Sequence, residues 1–488
     1  MLHRSFVVRA AAGLAIVAQL LVAQPAAAQA VTPADPHIAG VERELQPQFY
    51  LTGRPRVTHT LAERMRFYKV PAVSIAVIDD YRVAWTAAYG FRDVAAHEPA
   101  ETATLFQAAS MSKPVFAAAV LSLFATKGLS IDADINTLLR SWTVPPAPGN
   151  SAQPVTLRRI LNHTAGTNVH GFAGYDRDAT LPTLVRVLNG APPANSEAIR
   201  VVKTPGGASE YSGGGTTIGQ QLAIDVSGAP FPEFMQQTLL QPLDMNASTY
   251  QQPLPQSLWD RAADGYYADG KPVHRGWHVY PEMAAAGLWT TAADLATFVI
   301  AIQDALRGQT RGPITPAIAR EMTTPNAQGF GLGTVIDGQT FGHDGANEGF
   351  QGLFTGSLRG GRGIVVLTNS DNGGTLARQI VYAVGAAYGW PEFSAKPKAA
   401  LKLSPAALKP FAGQYAAGAG DQRVVLSVRL VGDGLTVSES FAPGDVPIYA
   451  QSARSSASTV RRSPSRAIQV AACGRSKFSV RPLRGSSA

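Results

Sequence analysis

The chain has little cysteine and little charge. Of its 488 residues one is cysteine, Cys473. That excludes an intrachain disulfide and a multi-thiolate metal site, and its distance from the N-terminus excludes a lipid-bearing N-terminal cysteine. Charged residues make up 16%, too few for coiled coils or long solvated charge runs. Acid is wholly absent from Ser452 to Ala488, where eight of the 42 basic residues lie. The other 34 are matched by 34 acidic residues, so the net charge of +8 belongs to this tail. The body has no electrostatic footprint for DNA or RNA. There is no G-x-S-x-G, which argues against an α/β-hydrolase, and no H-E-x-x-H or P-loop. His274 and His278 stand four apart, but Gly276 lies between them and no acidic third ligand is evident. They read as solvated or core histidines rather than metal ligands.

What the chain does have is a 45% hydrophobic content, ample for a large core without staples. A prior of roughly one domain per 150 residues gives two or three domains. Residues 1–28 read as a secretory signal. Arg4 and Arg9 precede an apolar run, residues 10–23, which Pro25 ends before Ala26-Ala27-Ala28. The run is shorter than the roughly 20 residues a spanning helix needs. Cleavage is expected after Ala28 or Ala30, and the location is periplasmic or secreted.

A body is expected over 31–392. The stretches 71–80 and 82–90 read as strands around a tight turn at Asp80-Tyr81. Strand-like segments return at 330–338, 349–357 and 363–370, and a helix is expected over 376–389. The two ends must pair into one mainly antiparallel sheet, with a helical insertion at about 130–300 and a groove between them as the natural site. Residues 393–410 read as a Lys/Pro/Ala-rich linker, and 411–451 as part of a small β-domain. In 452–488 ten residues are Ser and hydrophobic alternation stops. This tail is expected to be disordered, or to be the product of a frameshift that replaced the end of the β-domain.

Chemistry concentrates at Ser110-Met111-Ser112-Lys113, the chain's one S-x-x-K. On a helix, Ser110 and Lys113 share a face one turn apart. A desolvated lysine loses its proton more readily and can act as a base toward the serine. The surrounding FQAASMSKPVFAAAV is apolar, so an idle lysine would be costly there. Two signals follow in order: Tyr211 in TPGGASEYSGGG, and His343-Asp344-Gly345 in FGHDGANEG.

In this set of motifs, the chain resembles the serine β-lactamase and penicillin-binding-protein-like hydrolases, which include class C β-lactamases, DD-peptidases and esterases. SMSK, YSG and HDG stand in that group's order, and LNHTAG (161–166) and AAGLWTTAADLATF (285–298) resemble its framework. The resemblance covers about residues 45–390. It implies an α/β (α+β) fold with an antiparallel sheet flanked by helices. It implies that Ser110 is the acylated nucleophile, Lys113 its base or the holder of a tyrosinate, and Tyr211 the general base and later acid. It also implies that His343 orients or protonates the substrate, that the Ser110 and Ala346 N–H groups form the oxyanion hole, and that Gly345 admits the substrate carbonyl. Gly213 stands where class C β-lactamases have Asn, and His343 where many relatives have Lys. Both departures point toward an ester or peptide-like substrate. The rivals are a D-amino-acid-specific peptidase or weak β-lactamase, and a non-catalytic binding protein. No metal or organic cofactor is implied. The partner is a small-molecule or peptide-like substrate, with no nucleic acid.

Overall fold

Seven strands lie in one antiparallel sheet in the order Glu98–Pro99, Arg82–Asp93, Ala72–Asp79, Gly363–Thr368, Phe350–Ser357, Thr340–Asn347, Val335–Asp337. The structure, a computed structural model, describes residues 36–53, 55–146, 153–399, 403–417, 424–432, 434–439, 446–448, 468–470 and 478–482. The signal expected at 1–28 lies outside them. The two ends of the body meet at the sheet's centre, where Val73 faces Thr368 and Ile78 faces Gly363. The turn between the first two strands is Asp80-Tyr81, with φ of 48° and 62°. Both central residues of this hairpin therefore sit in the left-handed region that a right-twisted two-residue loop requires. Asp takes that conformation readily. Tyr81 is secured there by its N–H on the Gly361 carbonyl and by the Arg307 guanidinium, 4.0 Å over its ring.

Strand alternation divides the core. Ala72, Ala76, Ile78, Val365 and Leu367 point to one face, and Val73, Ile75, Val77, Ile364 and Val366 to the other. The second face packs under helix Gly373–Tyr388 through Leu376, Ile380 and Val384. Each such side chain contributes about 1.5–3 kcal/mol on burial. Helix Leu61–Tyr68 joins this layer. Thr60 and Glu63 form a reciprocal capping box there, which contributes about 1 kcal/mol.

The other face carries the helical block: Leu157–Leu161, Leu184–Asn189, Gly213–Ser227, Phe231–Met235 and Met283–Ala286. Helix Ala292–Leu306 falls within the expected insertion in sequence but packs on the sheet. Its Val299 fills the space left open by Gly356 and Gly363. Helix Ser112–Thr126 is buried on all sides from Ser112 to Leu121. The run Ala109–Thr126 is apolar and long enough to cross a membrane, but it is the core helix of this block.

Residues 393–410 are not a structureless linker. Phe393 is buried in the helix-side core, and Lys396–Lys398 pairs parallel with Phe49–Leu51. Leu408, in helix Pro405–Leu408, belongs to the next core. That core, with Tyr415, Leu426, Val428, Leu435 and Val437, supports a six-stranded antiparallel sheet. Two of its strands, Ile468–Val470 and Phe478–Pro482, come from the segment expected to be disordered, and Tyr415 pairs with Pro482. The expectation fails for these residues. IQV and FSVRP each alternate apolar and polar residues over a few positions, which the surrounding Ser and Arg obscure in composition.

Candidate active site

The turn that carries Ser110 is built against its own backbone preference. Ala108 N–H donates to the Leu288 carbonyl at 2.8 Å, and the next residue, Ala109, has φ 51°. A non-glycine residue held there costs of order 1–3 kcal/mol. Ser112 fixes the turn: its hydroxyl donates to Ala109 O at 2.6 Å and accepts from Leu288 N–H at 3.0 Å. Tyr250 OH donates to the Ser112 carbonyl at 2.7 Å. Ser110 lies just outside the α-helix. It sits in a 3-10 turn, Ala109–Met111, and the helix proper starts at Ser112. Ser110 is half-buried at this bend, whereas Lys113 is 4% exposed.

The expected pair is in contact. Lys113 Nζ and Ser110 Oγ are hydrogen-bonded at 3.0 Å, and Nζ donates to the Ala285 carbonyl at 2.7 Å. Burial lowers the lysine pKa to about 7. The amine is thus within hydrogen-bond reach of a serine hydroxyl and is readily deprotonated at neutral pH, as activation of a serine nucleophile requires.

Tyr211 is brought to the same place, its ring centroid 5.0 Å from Lys113 Nζ. The Gly-rich stretch after it begins helix Gly213–Ser227, capped by the Ser212 hydroxyl on Gly215 N–H at 3.0 Å. Ser212 N–H donates to His163 Nδ1 at 3.3 Å. His163 holds this backbone as an acceptor and must be neutral to do so. Burial first, and then the Lys113 charge, hold its pKa well below the ordinary value. His163 is therefore a positioning residue. Its ring lies 4.5 Å from that of Tyr211, and His170, on the exposed side, lies 5.0 Å away. A side chain in place of Gly213 would press on the His170 carbonyl and the Phe172 ring, each 3.1 Å from a built Cβ. An asparagine there would need the His170 carbonyl or the Phe172 ring to give way slightly.

The third motif lies on strand Thr340–Asn347. His343 is buried, its ring 5.9 Å from that of Tyr211, and Nδ1 donates to the Asp344 carbonyl at 2.5 Å. Asp344 pairs with Arg378 of helix Gly373–Tyr388 at 3.2 Å, so it ties strand to helix. Gly345 is needed for packing. A Cβ there would lie 2.3 Å from Ala108 O and 3.1 Å from Ser110 N. The glycine lets the strand and the Ser110 turn touch, a packing role beside the admission of a substrate carbonyl that the resemblance implies. Ala346, one residue on, is exposed at this junction. Asn347 then reaches Gln107 Oε1 at 2.8 Å and the Ala286 carbonyl at 3.1 Å.

Sequence reasoning missed Ser112, Asn347 and the Ala285 carbonyl. The second serine of SMSK was a usable signal for the first, and nothing marks a backbone carbonyl. It also missed Glu282, which is fully buried just before helix Met283–Ala286. Both its oxygens lack a hydrogen-bond partner among the described residues, and burial raises its pKa to about 7. His274 and His278 do find an acid, Asp176, at 3.4 and 3.3 Å.

The profile of the Beta-lactamase family matches residues 57–388. The chain belongs to this family. Among curated proteins it is similar to the unguisins hydrolase ungD of Aspergillus violaceofuscus, 27% identical over 50% of this chain and 44% of the relative. It is also similar to esterase EstB of Burkholderia gladioli, 29% identical over 39% of this chain and 48% of that protein. The chain thus spans less than half the length of either curated relative. Among solved structures, the octameric penicillin-binding protein homologue from Pyrococcus abyssi aligns with a TM-score of 0.59 at 24% identity, over 77% of this chain and 85% of that one. That likeness shows the fold alone. The Beta-lactamase family assignment agrees with the resemblance read from SMSK, YSG and HDG. The antiparallel sheet, its flanking helices and the small C-terminal strand unit agree with the fold expected from that resemblance.

Proposed function

We propose that this protein is a secreted serine hydrolase that works through an acyl-enzyme on Ser110, with an ester, amide or lactam as substrate. One observation carries the reading: Lys113 is buried, its pKa lowered to about 7, and hydrogen-bonded to Ser110 Oγ at 3.0 Å. The neutral amine takes the Ser110 proton, directly or through Tyr211, as Oγ attacks the acyl carbon. The N–H groups of Ser110 and Ala346 receive the oxyanion, an effect worth about 3–4 kcal/mol per donor. Tyr211 returns the proton to the leaving group, and water then releases the acid. His343 and Gly213, in place of Lys and Asn, weaken recognition of a β-lactam carboxylate. They favour an ester or peptide-like substrate over a dedicated β-lactamase role. Secretion rests on residues 1–28.

Intact-mass measurement of the mature protein after a fluorophosphonate probe tests the reading. One adduct on wild type and none on Ser110→Ala is the expected result. A folded wild-type protein that takes no adduct would overturn it and favour a binding protein. A screen of esters, D-amino-acid amides and β-lactams then separates the esterase reading from the peptidase and weak β-lactamase rivals.

A further inference from the structure

Arg177 lies outside the Ser110 constellation. Its guanidinium carbon sits 4.1 Å over the ring of Trp259 and 4.1 Å over that of Trp277. The two indoles meet edge to face, 6.0 Å apart at 80°. Trp277 is buried and continues inward to Trp289 at 5.3 Å, which anchors the stack in the core. Trp259 is 36% exposed, and its indole N–H is taken by the Leu254 carbonyl at 3.0 Å. A guanidinium has five N–H donors. Arg177 uses Nη1 on the Arg275 carbonyl at 2.6 Å and makes no other hydrogen bond or ion pair among the described residues. The nearby Asp178 is occupied by Arg275 at 2.9 Å. Asp264 acts on Arg177 through its field, without an ion-pair contact. Beside this stack is a cavity of about 110 Å³ walled by Arg177, Arg275, Trp259, Trp277, Pro253 and Leu254.

We infer that this pocket is a binding site for a small monocarboxylate with a flat apolar body. The fork of unused N–H donors matches a carboxylate bidentately, and the indole faces with Pro253 and Leu254 take the apolar part. Contact with both indole rings restrains the guanidinium, so little side-chain freedom is lost on binding. The site is independent of the acyl-enzyme reading, because none of its residues belongs to that chemistry.

Benzoate titration followed by tryptophan fluorescence tests the site in the full mature protein, with benzamide as the uncharged analogue and chloride as the ionic control. Saturable binding is expected in wild type, with an unchanged midpoint in Ser110→Ala. Arg177→Met should raise the midpoint at least tenfold, and benzamide should bind at least tenfold more weakly than benzoate. An unchanged midpoint in Arg177→Met, equal binding of benzamide, or the same response to chloride would each overturn the proposal. If Arg177→Met does not fold, Trp259→Ala at the exposed edge decides: weaker benzoate binding supports the site, and an unchanged midpoint overturns it.

Discussion

The body and the C-terminal sheet are both antiparallel, yet they carry very different internal loads. The body's central strands are covered on both faces by large apolar cores. Within that mass it holds Ala109 at positive φ, a buried lysine and a buried carboxyl without partners. The C-terminal unit closes over six buried side chains among its described residues. Among its described residues no non-glycine has positive φ, and none of the buried ones is an Asp, Glu, His, Lys or Arg. Unfavourable groups survive where surrounding packing over-determines their geometry. A small two-layer unit has no such reserve.

The sharpest way to break this comparison is Ser110→Ala. It should abolish ester turnover, by roughly three to six orders of magnitude, while the melting temperature stays within a degree or so. A large fall in stability would mean that the turn's strain is held by the serine itself.

Lys113→Met comes next and should separate function from stability. Turnover should fall by orders of magnitude. Tyr211→Phe should do likewise, with losses that do not add, because the three groups act as one unit. In the folded protein the lysine pKa lies below its unfolded value, so the unfolded chain binds more protons and this residue's penalty is largest below about pH 7. Thermal melts at pH 6 should therefore show Lys113→Met above wild type, by a margin that narrows toward pH 10. In the wild type, kcat/KM should rise with pH through an apparent pKa near 7.

Gly345→Val tests the contact between strand and turn. With Ala108 O 2.3 Å from the new Cβ, a loss of about 1–3 kcal/mol and at least tenfold in turnover is expected. Denaturant unfolding and ester kinetics check both.

Glu282→Gln should be milder. Its folded pKa is raised to about 7, so its stability contribution is complete below the unfolded value and is lost as pH rises through 7. The variant should melt higher than wild type at pH 8 and no higher at pH 4. The smallest effect is reserved for removal of residues 403–488, which should leave turnover within about twofold. A larger loss would mean that the C-terminal sheet supports the site.

What the sequence makes legible is local chemistry. Ser110 and Lys113 are three residues apart, so any helical geometry brings them together, and the order of Tyr211 and His343 completes the pattern. The strands at 72–79 and 363–368 stand out because burial on both faces leaves them almost wholly apolar. Long-range placement is not legible. Nothing in the letters sets the Ala285 carbonyl on Lys113, or strips Glu282 of partners. The strain at Ala109 has no residue signature, since alanine is an ordinary choice in the right-handed region. Residues 468–470 and 478–482 were hidden by their Ser/Arg-rich surroundings, because three to five alternating positions carry little compositional weight.

The pairing of Ala72–Asp79 with Gly363–Thr368 has a consequence for biosynthesis. A nascent chain that has emerged only through the helical block carries Ser110, Lys113 and Tyr211, but lacks the strand that seats against the Ser110 turn. The central sheet waits for most of the body to be translated, and contacts of such long sequence separation form slowly. Throughout that interval the polypeptide remains unfinished around Ser110. Any hydrolytic competence would therefore arise late and as a whole, after the growing end has passed the last central strand.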